Sequence, residues 1–269
     1  MKNCVHCAAL ACLMCTGPDQ KLMLAAALLG AWEQGSLAAT SGCRECAVVE
    51  IPIPGRPERP RLVAPRLVPA RGIGTSEGRV ALVHAVAHIE FNAINLACDA
   101  IYRFRHLPDE FYADWISIAA DEARHFSMLQ SRLSALGTHY GALDAHDGLW
   151  QMAVATAHDP LARMALVPRV LEARGLDVTP GMIERLRSVG DLSTVACLET
   201  ILAEEVAHVA AGTRWFRHLC DKQGLESDAT FLALVDKHAR GAVRGPFNLP
   251  HRRQAGFSDR EMIELSQIG

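Results

Sequence analysis

Asp121-Glu122-Ala123-Arg124-His125 and Glu204-Glu205-Val206-Ala207-His208 decide how the rest of this 269-residue chain is read. Each holds a Glu-x-x-His inside a long helical pattern. Positions three apart share a helix face, so the carboxylate and the imidazole of each pair can reach one metal ion. Each pair is also preceded by a glutamate in an apolar stripe. Glu90 stands 32 residues before Glu122 (122 − 90), and Glu172 stands 33 before Glu205 (205 − 172). One Glu-x-x-His arises easily by chance. Two, each with its upstream glutamate, match the ligand set of a di-metal carboxylate centre in a four-helix bundle. The candidate metal ligands are therefore Glu90, Glu122, His125, Glu172, Glu205 and His208, and the expected fold class is all-α.

The four bundle helices follow from periodicity and end signals. The first opens near Thr75-Ser76-Glu77, with Ser76 as N-cap, and carries the stripe Val83, Val86, Glu90, Ile94, Ala97, Ile101. His84 and His88 fall on the opposite face from Glu90 and read as polar-face or supporting residues rather than ligands. The second runs from about Asp109 to Leu136 with the stripe Trp115, Ile118, Glu122, His125, Leu129, Leu136, and Gly137 stops it. A connection bearing His139, Asp144, His146 and Asp147 leaves room for a crossover. The third starts at Asp159-Pro160, with Asp159 as N-cap and an inner face of Ala165, Pro168, Glu172 and Leu176. Pro168 should kink it, Gly175 should end it early, and a separate short helix follows at about 180–189. Glu184 in that short helix competes with Glu172 for the fourth-ligand role; the apolar stripe and the spacing favour Glu172. The fourth helix spans about Asp191 to Cys220 with the stripe Leu198, Ile201, Glu205, His208, Gly212, Trp215, leaving Glu199 and Glu204 off that face. The small residues Ala87, Ala93, Ala119 and Gly212 leave space for a substrate pocket near the ligands.

Ahead of the bundle, Pro18 to Ala39 reads as a helix with the stripe Leu22, Ala25, Ala26, Leu29, Trp32. Six prolines between residues 50 and 71 forbid a helix there and favour an extended strap on the bundle surface or a linker. Three Cys-x-x-Cys pairs, Cys4/Cys7, Cys12/Cys15 and Cys43/Cys46, admit a zinc or redox site, or simply small apolar residues facing a core; their tight spacing fits no zinc ribbon. Arg240, Arg244, Arg252 and Arg253 surround Gly245-Pro246-Phe247-Asn248 and read as a solvated or helix-pairing face rather than a nucleic-acid patch. The resulting organisation is an N-terminal helical segment with the Cys pairs (1–49), a proline-rich strap (50–75), the bundle (76–225) and a C-terminal extension packing on it (226–269).

Half the residues are hydrophobic (50%), enough for a sizeable core, and a net charge of −3 gives no case for nucleic acid or an anionic membrane as partner. Nine cysteines in this length do not make a secreted disulfide scaffold. The Ala- and Leu-rich start carries one Lys, is interrupted by Gly17-Pro18-Asp19-Gln20-Lys21 and lacks a small-residue cleavage site, unlike a signal peptide. No apolar run reaches the roughly 18–20 residues of a membrane span. A soluble cytoplasmic protein without a membrane partner is expected.

With both Glu-x-x-His helices in place, the chain resembles the ferritin-like superfamily. More narrowly it resembles the bacterial ferritin-like family catalogued as domain of unknown function 455. The resemblance rests on His88-Ile89-Glu90-Phe91, Asp121 to Phe126, Val170 to Asp177, Glu205-Val206-Ala207-His208-Val209 and Gly245-Pro246-Phe247-Asn248, and covers most of the chain from about residue 18. The Cys pairs are atypical of that family. The resemblance implies two iron ions, or iron plus manganese. The corresponding expectation is an oxidoreductase that activates O2 to oxidise a small molecule, supplied by an electron donor, and a homodimer is compatible with it. The rival from another class is iron handling, a non-cage ferroxidase or sequestration protein. A distant kinship to tRNA hydroxylases gives a further alternative, against which the lack of a basic face argues. A bundle keeping these ligands for structure alone would bury carboxylates at high cost.

Overall fold

The computed structural model describes residues 3–39, 47–68, 72–239, 241 and 243–268. The described chain is all-α apart from two two-residue strands. It divides into two compact units, one up to Val154 and one from Ala155 onward.

The first unit holds β1 (Asn3–Cys4), α1 (Val5–Met14), α2 (Pro18–Glu33), β2 (Leu37–Ala38), α3 (Ser76–Arg103), α4 (Asp109–Ala135) and α5 (Gly148–Ala155). β1 and β2 pair in parallel, Asn3 opposite Leu37 and Cys4 opposite Ala38. α3 is its axis: every residue from Glu90 to Tyr102 is buried, with α4 and α1 packed against it and α2 lying on α4. By length and composition α3 could cross a membrane, contrary to the expectation that no apolar run is long enough. Two thirds of its most apolar stretch is buried inside the protein.

Several helix ends depart from expectation. The N-cap of α3 is Thr75, whose hydroxyl accepts the Gly78 N–H at 3.0 Å, and Ser76 is the first helical residue. α4 ends as expected, with Gly137 at φ 76°, but Leu133 rather than Leu136 takes the buried position. α2 stops at Glu33, and Gly35 turns the chain with φ 65°. Its buried face runs through Lys21, Ala25 and Leu28, with Ala26 exposed, so the helix is turned from the expected stripe. Lys21 causes the turn. Its ammonium is fully buried and donates to the carbonyls of Cys12 (2.8 Å) and Leu13 (3.0 Å) and to Asn95 Oδ1 (2.7 Å). A buried cation with three acceptors outranks an apolar stripe in setting the helix face.

The proline-rich strap is extended but for one 3-10 turn at Pro65–Leu67. It is fastened within the first unit: Gly55 N–H donates to Leu13 O, Leu62 bridges Ala145, and Trp150 Nε1 donates to Pro52 O. A Cβ at Gly55 would lie 2.2 Å from the Met14 backbone, so only glycine admits this approach.

The second unit holds α6 (Pro160–Leu166), a π-helical turn (Val167–Glu172), α7 (Ala173–Ser188), α8 (Leu192–Gln223), α9 (Ser227–His238), α10 (Leu249–Gln254) and α11 (Asp259–Ile268). Asp159 caps α6 by accepting the Leu161 N–H at 2.8 Å. Pro168 has no N–H for the carbonyl four residues back and its ring crowds that carbonyl, so the helix widens into a π turn there. Gly175 does not end the helix. α7 runs on through Gly175 and Pro180 to Ser188, and the expected short helix at 180–189 is its continuation. An isolated helical glycine costs only about 1 kcal/mol, which packing of Leu176, Ile183 and Leu186 in the core offsets. Asp191 caps the 32-residue α8 through the Thr194 N–H, and Gly224 closes it in the left-handed region at φ 68°.

Candidate metal centre

In the first unit, α3 brings Glu90 and α4 brings Glu122 and His125 to one buried point. The ligand atoms of these three residues lie within 4.8 Å of one another. His125 Nδ1 is 3.2 Å from Glu90 Oε2 and 3.3 Å from Glu122 Oε2, and all three residues are at most 3% exposed. Burial by itself pushes the His125 pKa down. The hydrogen bonds and charges of Glu122 and Glu90 more than reverse this and raise it to about 11. Two carboxylates thus concentrate negative potential on one buried spot, which a cation satisfies, be it an imidazolium proton or a metal ion. The donor set fits a metal: two hard oxygen donors and an imidazole nitrogen, drawn from rigid helix interiors.

In the second unit the same residue types recur. His208 on α8 is buried, with Nδ1 3.5 Å from Glu205 Oε1 one turn earlier. The Glu205 side chain is 12% exposed. Glu172, the last residue of the π turn, is half-buried, whereas its competitor Glu184 is exposed on α7. Gly212, on the same face of α8, is needed for packing rather than for substrate space. A Cβ there would meet the Pro168 ring at 2.3 and 2.4 Å, so the ring fills the gap that the glycine leaves.

His84 and His88 do not join the carboxylate cluster, but neither is on a polar face. Both are buried under the 138–147 connection. His84 Nε2 accepts the Gly141 N–H at 2.9 Å. His88 Nδ1 lies 2.8 Å from the Tyr140 hydroxyl and its Nε2 3.1 Å from His146 O. Burial lowers both histidines to about 4, so they are neutral hydrogen-bonding groups at neutral pH. Tyr140 was missed by sequence reasoning. It packs on Phe91, the neighbour of Glu90, and on Phe126, the neighbour of His125. The signal for it was a single large aromatic in an otherwise polar loop.

Four of the six paired cysteines lie among the described residues. Among the described residues, Cys4, Cys7, Cys12 and Cys15 join no cluster of metal-ligand geometry. The reason is the helix between the pairs. Cys4 precedes α1 and Cys7 lies in its first turn, whereas Cys12 is in its last turn and Cys15 just beyond it. At 1.5 Å per residue, the eight positions from one pair to the next carry them about 12 Å apart, too far to share an ion. The members of the second pair also diverge. Cys12 is buried, as the core reading expects, and its thiol donates to the Lys21 carbonyl at 3.7 Å. Cys15 has left the helix in an extended conformation, and its half-buried thiol donates to the Gly17 carbonyl at 3.5 Å. Cys4 and Cys7 are likewise half-buried. Cys43, Cys46 and Arg240 lie outside the described residues. Arg252 is not solvated: it is 3% exposed and bound to Asp177, while Arg253 lies on the surface.

No solved structure matches the chain. A Haemophilus influenzae protein described as uncharacterized is 47% identical over 219 residues, covering 79% of this chain and 76% of that one. The family model for a protein of unknown function, DUF455, matches residues 14–263, and with its buried Glu90, Glu122 and His125 inside that span the chain belongs to this family.

Proposed function

We propose that the protein is a di-metal carboxylate oxidoreductase of the ferritin-like superfamily. In this reading Glu122 and His125 hold one metal ion, Glu205 and His208 hold the second, and Glu90 and Glu172 complete the two shells. The observation that carries it is the convergence of Glu90, Glu122 and His125 at a buried point. Isolated carboxylates are too costly to bury without compensating positive charge. Recurrence of Glu and Glu-x-x-His at matched spacing in the second unit supports a second ion. Carboxylate and imidazole suit iron and manganese, so two irons or an iron–manganese pair are the fitting cofactor.

When bound, such a pair supplies redox chemistry and activation of O2. The chain does the rest. Glu90 and Glu122 neutralise the metal charge and fix its position from helices that cannot shift independently of the core. Phe91, Phe126 and Tyr140 keep water from that side of the cluster. The π turn sets Glu172 on a segment with weaker backbone hydrogen bonding than the helices around it, the kind of segment on which a ligand can shift as a substrate binds. O2, a small-molecule substrate and an electron donor are the partners this chemistry requires, in a cytoplasmic setting.

The test is elemental analysis of protein purified from iron-supplemented cells, with an absorption spectrum before and after adding O2. About two metal ions per chain and an O2-dependent change in the visible spectrum are expected. One ion or none, with no recovery after anaerobic Fe(II) addition, overturns the reading.

A further inference from the structure

The second unit contains a recess lined by Arg169, Arg174, Asp177, Arg244, Phe247 and Arg252, for which the metal chemistry has no use. Arg252 and Arg169 are at most 3% exposed. Asp177 binds Arg252 through both oxygens, at 3.0 and 2.7 Å, and also accepts the Asn248 N–H at 2.9 Å. Glu261 binds Arg169 Nη2 at 2.6 and 2.7 Å. Each carboxylate is consumed by one arginine, yet each arginine still has a buried Nη1 with no hydrogen-bond acceptor among the described residues. Such donors are costly unless something fills them.

The charge balance says what fills them. Glu261 offsets Arg169 and Asp177 offsets Arg252, so Arg174 and Arg244 remain in excess at the rim. Arg174 stands 3.9 Å from an Asp177 oxygen already shared, and spends Nη1 on the Arg244 carbonyl at 2.6 Å. Its other nitrogens and the exposed Arg244 guanidinium stay available. The recess itself is about 10 Å³, room for one water-sized group such as a single oxygen. Phe247 and Phe257 stack on the Arg252 guanidinium at 4.8 Å and hold it in place. A fixed buried donor behind a solvent-reaching cationic rim suits a tetrahedral oxyanion, with one oxygen entering and the others facing the rim.

We infer that this recess is a binding site for a phosphate group carried by a small molecule, with Arg252 Nη1 as the inner donor and Arg174 and Arg244 as the outer clamp. The inference stands independently of the metal reading. It is tested by calorimetric titration of inorganic phosphate into the full chain at constant ionic strength, with acetate and chloride as comparison anions. Arg244→Ala and Arg174→Gln are the variants, since both side chains reach solvent, with circular dichroism as the check that each variant folds. Saturable binding of phosphate at one site, tighter than acetate, and about tenfold weaker in each variant, is the expected result. Phosphate bound no better than chloride or acetate overturns the inference. So does phosphate affinity unchanged in both variants, which is what binding at a metal ion would give. A single-stranded RNA bound through Arg174 and Arg244, with no binding of free phosphate, assigns the arginines to a nucleic-acid backbone and also overturns it.

Discussion

The two units carry the same three ligand types and support them differently. In the first, Glu90, Glu122 and His125 sit in the uninterrupted interiors of α3 and α4, and all three are buried. In the second, Glu172 closes a π turn forced by Pro168, and Glu205 is partly open to solvent. Each unit also encloses a cation. Lys21 is held by neutral acceptors, two carbonyls and an amide oxygen, whereas Arg169 is held by the carboxylate of Glu261 under three phenylalanine rings. Burial depresses the pKa of both cations, so what separates them is the partner, dipoles for Lys21 and a full counter-charge for Arg169. The first unit is therefore organised as a rigid holder, and the second around a deformable turn braced by charge pairs.

The largest break in this contrast should come from Glu261→Ala. It leaves the Arg169 guanidinium buried without its counter-ion, and unfolding of the second unit should become easier by about 3–5 kcal/mol. Urea titration followed by tryptophan fluorescence measures it. A loss under about 1 kcal/mol would mean that Arg169 is not closed in as described.

Acid should act on the first unit instead. His84 titrates at about 4 in the fold and at 6.5 when unfolded. Above pH 6.5 both states hold it neutral and it contributes no pH dependence. As pH falls from 6.5 to 4 the unfolded chain takes up the proton first, so stability declines through that window and levels off below it. Protonation of Nε2 also ends its acceptance of the Gly141 N–H. A decline of up to about 3 kcal/mol is expected from this group. In His84→Gln the slope between pH 6.5 and 4 should shrink, leaving the parts due to His88 and His6, and an unchanged slope would remove His84 from the account.

Gly212→Ala sharpens the comparison on the other side. The new methyl must displace the Pro168 ring, at a cost of about 1–3 kcal/mol. Because the same turn ends at Glu172, metal content should fall toward one ion per chain while the Glu90 cluster keeps its own. Equal loss from both positions would show that the turn does not act locally.

The smallest effect separates two adjacent residues. Thr75→Ala should cost about 1 kcal/mol by uncapping α3, and Ser76→Ala a few tenths at most, read from thermal melts. This pair also shows what can be read from a sequence. Either hydroxyl could cap, and only the backbone path decides between them. The stripes of α3, α4 and α8, and with them Glu90, Glu122, His125, Glu205 and His208, were legible because a buried charge on an apolar face is rare and the 3.6 period is strong over many turns. Between Glu172 and Glu184 the same signal points to the more buried of the two. Local signals misled where packing overrode them. Gly175 was read as a stop, yet it sits inside the helix and the buried Ala173 and Leu176 anchor the helix on both sides of it. The face of α2 was misread because the stripe was drawn through apolar residues alone and the buried Lys21 lies outside it. The spacing of Cys4, Cys7, Cys12 and Cys15 left chelating and core readings open, since spacing along the chain does not show that α1 lies between the two pairs. The burial of His84 and His88 depends on a loop some 50 residues away, and no periodicity within α3 reports it.

Asp177 gives the C-terminal region a meaning for anyone who would shorten the chain. It lies on α7 with its side chain fully enclosed, and its partners are Arg252 and Asn248. Ending the protein after α8 would delete both, together with the carboxylate that neutralises Arg169, and would strand ions of both signs in the interior. A minimal fragment covering only the ligand-bearing helices should therefore be recovered as insoluble material. The residues from Asn248 through Glu261 belong in any version of the protein meant for expression, deletion mapping or fusion, and tags are better placed beyond them than in exchange for them.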